Sequence, residues 1–203
     1  MTDLTRRTAL LGALCTLGGC STISSLNAAA RPMDTYDLRA AAGSATGARK
    51  PQTLLIALPQ ASAAIATDRI LIKPAPAQIT YLPSARWSDE LPAVVQLLLV
   101  RSIAQTGRTA YVGAVDAGPV PDKVLLARVD AFEVAVLPDG RFEATADFDL
   151  TLINDSDQRV IGSRRFTQTA PVAGDTPEQI VGVFQTLLDD LLPRMADWAI
   201  AGV

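Results

Sequence analysis

The chain has 203 residues, 49% hydrophobic and 5% aromatic, with 18 Lys plus Arg against 21 Asp plus Glu, two Cys and no His. Without imidazole there is no Ser-His-Asp or Cys-His nucleophile, no His-ligated zinc, and no general base poised near neutral pH. Both cysteines lie in the first twenty residues, so none is left for a metal cluster, redox pair or internal disulfide, and a formal charge of −3 offers no basic surplus to nucleic acid.

Residues 1–19 predict a signal peptide that is removed. Arg6 and Arg7 form a basic start, and Thr8 to Leu17 form an apolar stretch too short to span a bilayer. The stretch ends in Leu17-Gly18-Gly19-Cys20, which resembles the lipobox of bacterial lipoprotein signals. A branched residue precedes two small ones, so a peptidase can approach and cut between Gly19 and Cys20. The Cys20 thiol is free to carry a diacylglycerol. Cys15, preceded by Leu14, lacks the small neighbours and would leave with the signal. Thr5 to Leu11 also resembles a twin-arginine export signal, as an alternative to ordinary secretion. Ser21, and not Asp, at the second mature position favours the outer membrane by Gram-negative sorting rules. Removing Arg6, Arg7 and Asp3 with the leader leaves 16 basic and 20 acidic groups on 184 residues, a net charge of −4.

Residues 20–52 are small and polar and predict a flexible tether behind the lipidated cysteine, interrupted at Thr35 to Leu38 by a short edge strand. Residues 53–203 predict a single domain. Leu54 to Leu58 reads as a buried strand ended by Pro59, and Arg69 to Lys73 and Gln78 to Leu82 as two short strands about a turn. Ser88 as N-cap, Asp89 and Glu90 at the positive end of the dipole, and Pro92 in the first turn open a helix with an apolar face from Leu91 to Ile103. Gly107 closes it. After a strand over Thr109 to Val115, Val124 to Leu137 alternates until its parity flips at Phe132-Glu133, which predicts a bulge. Pro138-Asp139-Gly140 turns the chain into a cleanly alternating strand from Phe142 to Leu152, and Arg159 to Thr169 forms the last. Thr176-Pro177-Glu178-Gln179 predicts a capping box for the final helix, which Pro193 should kink or end near Leu192. The expected fold is an α/β (α+β) sandwich: a mixed, largely antiparallel sheet with two main helices in the order β-β-β-α-β-β-β-β-α.

The strand pair Arg69 to Leu82 with Tyr81 in its second arm, then Arg86-Trp87-Ser88-Asp89 opening an amphipathic helix, resembles the ABC-type transport auxiliary lipoproteins. The lipobox and the long closing helix agree, so the resemblance spans about residues 17–200. It implies a periplasmic, non-enzymatic protein held by its N-terminal lipid, without a cofactor. It also implies association with an ABC permease and ATPase and with an Mce-type protein in moving lipids or hydrophobic solutes. A homo-oligomer is compatible with it. Two roles are open for Trp87: a hydrophobic staple on Leu91, or, with Arg86, part of a partner-binding surface.

A different class of reading needs paired carboxylates. Asp147 and Asp149 lie two apart on one strand face, and Asp189-Asp190 adjoin on the last helix; glycosidases place two acids a few ångströms apart. Acids at such spacing more often form a strand's wet face. Asn154, Asp155 and Asp157 could approach calcium, but the stretch lacks the EF-hand's Gly and distal Glu, so a turn and no metal is expected. Arg164-Arg165 could meet anionic headgroups or guard a strand edge. The rival non-enzymatic reading is a stand-alone structural or assembly lipoprotein of the outer membrane.

Overall fold

A computed structural model describes residues 33–203. The predicted signal, the Gly19–Cys20 junction and the lipid attachment at Cys20 therefore lie outside the described residues. Nine strands and two helices follow one another there: β1 (Asp34–Tyr36), β2 (Lys50–Ile56), β3 (Gln60–Ala61), β4 (Arg69–Ala75), β5 (Gln78–Trp87), α1 (Leu91–Ala104), β6 (Thr109–Ala114), β7 (Lys123–Val136), β8 (Phe142–Asn154), β9 (Val160–Val172) and α2 (Pro177–Ala201). The expected α+β architecture is present; β1 is the short edge strand expected near Thr35 to Leu38, and the two-residue β3 is added before the first helix.

All strands join one mixed sheet with β7 at its centre. One side of β7 pairs antiparallel with β8 along its length. Its other side is met in turn by β2, β3 and β4, all parallel, at Ile56↔Leu125, Ala61↔Val129 and Ile72↔Val134. The parallel pairings are short, and the long ladders, β7–β8 and β8–β9, are the antiparallel hairpin neighbours. Gly140 supplies the left-handed backbone (φ 81°) of the first hairpin turn. The predicted bulge exists but lies earlier than expected. The register shifts between Val129 and Ala131, which leaves Asp130 as the extra residue and brings Phe132 and Val134 onto the face already used by Leu125, Ala127 and Val129.

Both helices contribute their apolar sides to one core on a single face of the sheet. Its aromatic centre is Trp87 edge-on to Phe132 (5.7 Å) and to Phe184 (5.6 Å), with Phe132 and Phe184 stacked at 4.3 Å. Ser88 is not the α1 cap. The helix begins after Glu90, with no side-chain cap, and the Leu91 amide donates instead to the Thr67 carbonyl at 3.1 Å. A tertiary acceptor thus satisfies a donor that a local hydroxyl was expected to take. At α2 the expected cap holds: Thr176 Oγ1 accepts from the Gln179 amide at 3.4 Å, with Pro177 at the first helical position. The helix does not end near Leu192 but runs through Pro193 to Ala201. Leu191, Leu192, Met195, Ala196, Ala199 and Ile200 are buried on both sides of the proline, and their packing outweighs the lost hydrogen bond.

Residues 34–49 lie on the domain instead of standing off it as part of a tether. β1 pairs in parallel with β5, Asp34 opposite Ala85 and Tyr36 opposite Trp87. The chain then runs as a strap along α2 in the same direction as the helix. Tyr36 Oη donates to Glu178 at 2.9 Å. The Arg39 amide donates to Gln185 Oε1 (2.8 Å), whose Nε2 returns a bond to the Arg39 carbonyl. The Ser44 amide donates to Asp197 Oδ1 (2.7 Å), and Lys50 Nζ reaches the Val203 carbonyl (2.9 Å). Leu38, only 2% exposed, fastens the strap into the core. A polar, small-residue composition looks flexible because its partners lie well over a hundred residues away.

Candidate functional site

The Arg86 to Leu91 motif is where strap, sheet and first helix meet. Arg86 stands on β5 opposite Arg69, a like-charge cross-strand pair. Its Nε donates to Thr35 Oγ1 at 3.1 Å, and its guanidinium lies 3.8 Å from Asp68. Arg69 turns away from Arg86, over the Tyr81 ring and toward the Leu82 carbonyl. Ser88 Oγ donates to Asp37 Oδ1 at 3.0 Å, and the Trp87 amide to the Asp68 carbonyl at 2.7 Å. Arg86 and Ser88 thus hold β1 and the strap from outside. Trp87, 2% exposed, holds them from inside. Its ring is neither a staple confined to the first turn of α1 nor a surface for a partner. It forms the centre of the core. Of the two residues expected at a partner surface, only Arg86 reaches solvent.

An apolar groove of about 440 Å³ opens elsewhere on the domain, between β4, β5 and the start of α2. Ile72, Leu82, Val134, Phe142 and Ile180 line it, with Asp175 among its few polar groups. Sequence reasoning missed it, because its walls come from five elements and no segment carries its signature.

The face of β7, β8 and β9 away from the helices carries the charged residues. Asp147 was expected on the wet side of β8, yet it is 5% exposed. Arg165 on β9 bonds both its oxygens, and Thr167 Oγ1 adds a bond at 2.7 Å. The Arg165 guanidinium holds the Asp147 carboxyl below the usual carboxylate range, against the opposing pull of desolvation, and Thr167 reinforces it. Arg128 grips Asp130 at 2.6 Å and reaches Asp149 at 3.5 Å. The two strand carboxylates therefore each face a guanidinium. On α2, Asp189 accepts from Gln185 and Asp190 pairs with Arg194 at 2.8 Å. Asn154 to Gln158 form a hydrogen-bonded turn: Asn154 Nδ2 donates to Ser156 and Asp157, and Gln158 adopts φ 55°. Arg165 is thus committed to Asp147, while Arg164 lies over the Phe166 ring at 5.1 Å on the outermost strand.

Among the described residues no helix is long and apolar enough to cross a membrane. The fold is shared with protein XCC0632 from Xanthomonas campestris (TM-score 0.75, 23% identity, 83% of this chain and 96% of that one). A further crystal structure, of an uncharacterised protein, matches with a TM-score of 0.61 and 16% identity over 83% of this chain and 97% of that one. A comparison with curated proteins returns no match. The family model described as "ABC-type transport auxiliary lipoprotein component" matches residues 36–196. That match runs from β1 into the last turns of α2 and takes in the strap, the Arg86 to Leu91 junction and the groove. The chain belongs to the ABC-type transport auxiliary lipoprotein component family.

Proposed function

We propose that this protein is a lipid-anchored, periplasmic accessory subunit of an Mce-type ABC transport system that moves lipids or hydrophobic solutes across a Gram-negative envelope. The family match over residues 36–196 carries this reading. Diacylglycerol on Cys20 is its membrane attachment, and Ser21 directs it to the outer membrane. Its work is contact with a permease, an ATPase and an Mce-type protein, not chemistry. The engagement of Asp147 and Asp149 with Arg165 and Arg128 supports a non-catalytic role, since each acid already has a guanidinium partner.

Purification of the full lipidated chain from cross-linked membranes tests the association. Permease, ATPase and Mce-type components should be recovered with it, and their absence would refute the transport reading. Cys20→Ala tests the anchor: the variant should leave the membrane fraction, and its retention there would refute lipid attachment at that residue.

A further inference from the structure

At the β6 end of the sheet an open strand edge coincides with an apolar surface. Among the described residues β6 pairs only with β2. Outside that ladder the main chain of Ala110–Ala114 makes no hydrogen bond among the described residues. Thr109–Ala114 contains no charged side chain and no proline, the usual devices that keep an open edge from recruiting another strand. The far edge, β9, carries them: Arg164, Arg165, Pro171 and a register irregularity beside Val160.

Beside β6, on the face away from the helices, Leu55, Val124, Ile153 and Val160 follow one another in register across β2, β7, β8 and β9. The first three are buried yet stand apart from the main core, with Gly118 of the following loop packed against Leu55. Tyr111 (42% exposed), Val115, Val120 (86% exposed) and Leu126 adjoin this row, whose last member, Val160, is itself exposed. These are five of the eight large hydrophobic residues exposed among the described ones. Single exposed aliphatics are ordinary, whereas their succession along one end of the outer face, with Tyr111, Val115 and Val120 at its β6 side, marks an interaction surface. The loops that follow β6 and β8 carry Asp116, Asp122, Asp155 and Asp157 together with Lys123 and Arg159, a net charge of −2. The Asp155 amide donates to the Asp122 carbonyl, and Asp157 pairs with Arg159. Asp122, which accepts from the Thr53 amide, stays exposed, as does Asp116.

We infer that the β6 edge docks an extended segment of a partner protein. Its main chain continues the sheet on Thr109–Ala114, its aliphatic side chains cover Tyr111, Val115 and Val120, and a basic residue at its end meets the acidic rim at Asp116 and Asp122. The edge dictates this class of occupant. A row of unpaired N–H and C=O groups is matched by another extended backbone, which a lipid does not have. The accessory-subunit reading supplies only the identity of the partner, and the site stands on its own geometry.

The probe is a peptide of about eight residues, alternating valine and threonine with lysine at both ends, added to the full lipidated chain in nanodiscs. Saturating peptide should slow hydrogen exchange at the β6 amides by roughly tenfold or more and leave β9 unchanged. Glutamate in place of the terminal lysines should weaken binding by about tenfold. Tyr111→Lys, and independently Val120→Lys, should abolish the protection, whereas Ile79→Lys, on the distant β4–β5 hairpin, should not. Absence of slowing at β6, equal slowing along β9, or indifference to the peptide's end charge overturns the proposal. So does self-association that Tyr111→Lys removes, which would give the edge to a second copy. If transport components are recovered equally with wild type and with Tyr111→Lys, the edge assignment fails and the accessory role stands. If wild type recovers none, the accessory role fails and the peptide measurements decide the edge.

Discussion

Replacing Trp87 with alanine separates a core role from a surface role. The indole is 2% exposed and lies edge-on to Phe132 and Phe184 at 5.7 and 5.6 Å. Truncating a buried aromatic to alanine costs about 3–5 kcal/mol, from lost transfer energy and from the cavity left behind. Each edge-to-face pair is worth a further ~0.5–1.5 kcal/mol beyond burial, part of which is already counted in that range. A domain of this size loses roughly 2–4 °C of Tm per kcal/mol, so Trp87→Ala should melt about 6–20 °C below wild type. Thermal and urea unfolding followed by circular dichroism measure this directly. The spectroscopic counterpart is a Trp198→Phe background in which Trp87 is the sole indole; its emission should be blue-shifted and shielded from soluble quenchers. A loss below about 1 kcal/mol, with red-shifted and quenchable emission, would refute the placement of Trp87 in the core.

Other expectations follow from the strap, the outer face and the junction. Gly43 approaches α2 so closely that a Cβ there would lie 2.8 Å from Asp197 Oδ1 and 2.9 Å from the Ala196 Cβ. Gly43→Ala should therefore cost about 1–3 kcal/mol and expose residues 39–49 to limited proteolysis; unchanged cleavage would contradict the close packing. The Asp147 pKa is depressed in the fold by the Arg165 bonds, so its stabilising contribution is fully present above the ordinary carboxylate pKa of about 4 and is lost as pH falls through the lower folded value. Asp147→Asn should flatten the acid limb of the stability-versus-pH curve and leave its slope above about pH 5 unaltered; an unchanged acid limb would show that the pair does not titrate with folding. Ser88→Ala removes the bond to Asp37 rather than a helix cap, so it should speed amide exchange at β1 while α1 keeps its protection. Faster exchange confined to α1 would restore Ser88 to the cap.

The parts of the fold that were legible in the sequence are those written in a local period. The alternation from Phe142 to Leu152, the apolar stripe of α2 and the Thr176 cap each concern residues a few positions apart, and β8, α2 and its cap are found there. The parity flip of β7 was legible as well, although the bulge falls at Asp130 and not at Phe132, because alternation shows that the register changes but not which residue is left over. The strap was not legible. Tyr36, Arg39 and Ser44 bond to Glu178, Gln185 and Asp197, more than 140 residues away, so nothing near them in the chain distinguishes an ordered segment from a tether. Asp147 was misplaced for a related reason: strand parity puts it correctly on the outer face, but only the β8–β9 register brings Arg165 and Thr167 over it.

The sequence by itself determined what chemistry this chain can carry. It has no imidazole and no thiol beyond Cys20, and its helix and strand periods already describe an α+β domain. It also held the Arg86 to Leu91 motif, through which family membership could be recognised. Tertiary structure decided what those residues do. It turned Trp87 inward, gave Ser88 to Asp37, closed Asp147 under Arg165, and left β6 with an open edge beside an apolar surface. Side-chain type and period are properties of a short stretch of chain. Burial and pairing belong to the surfaces that distant stretches present to one another, and these exist only once the chain has closed on itself.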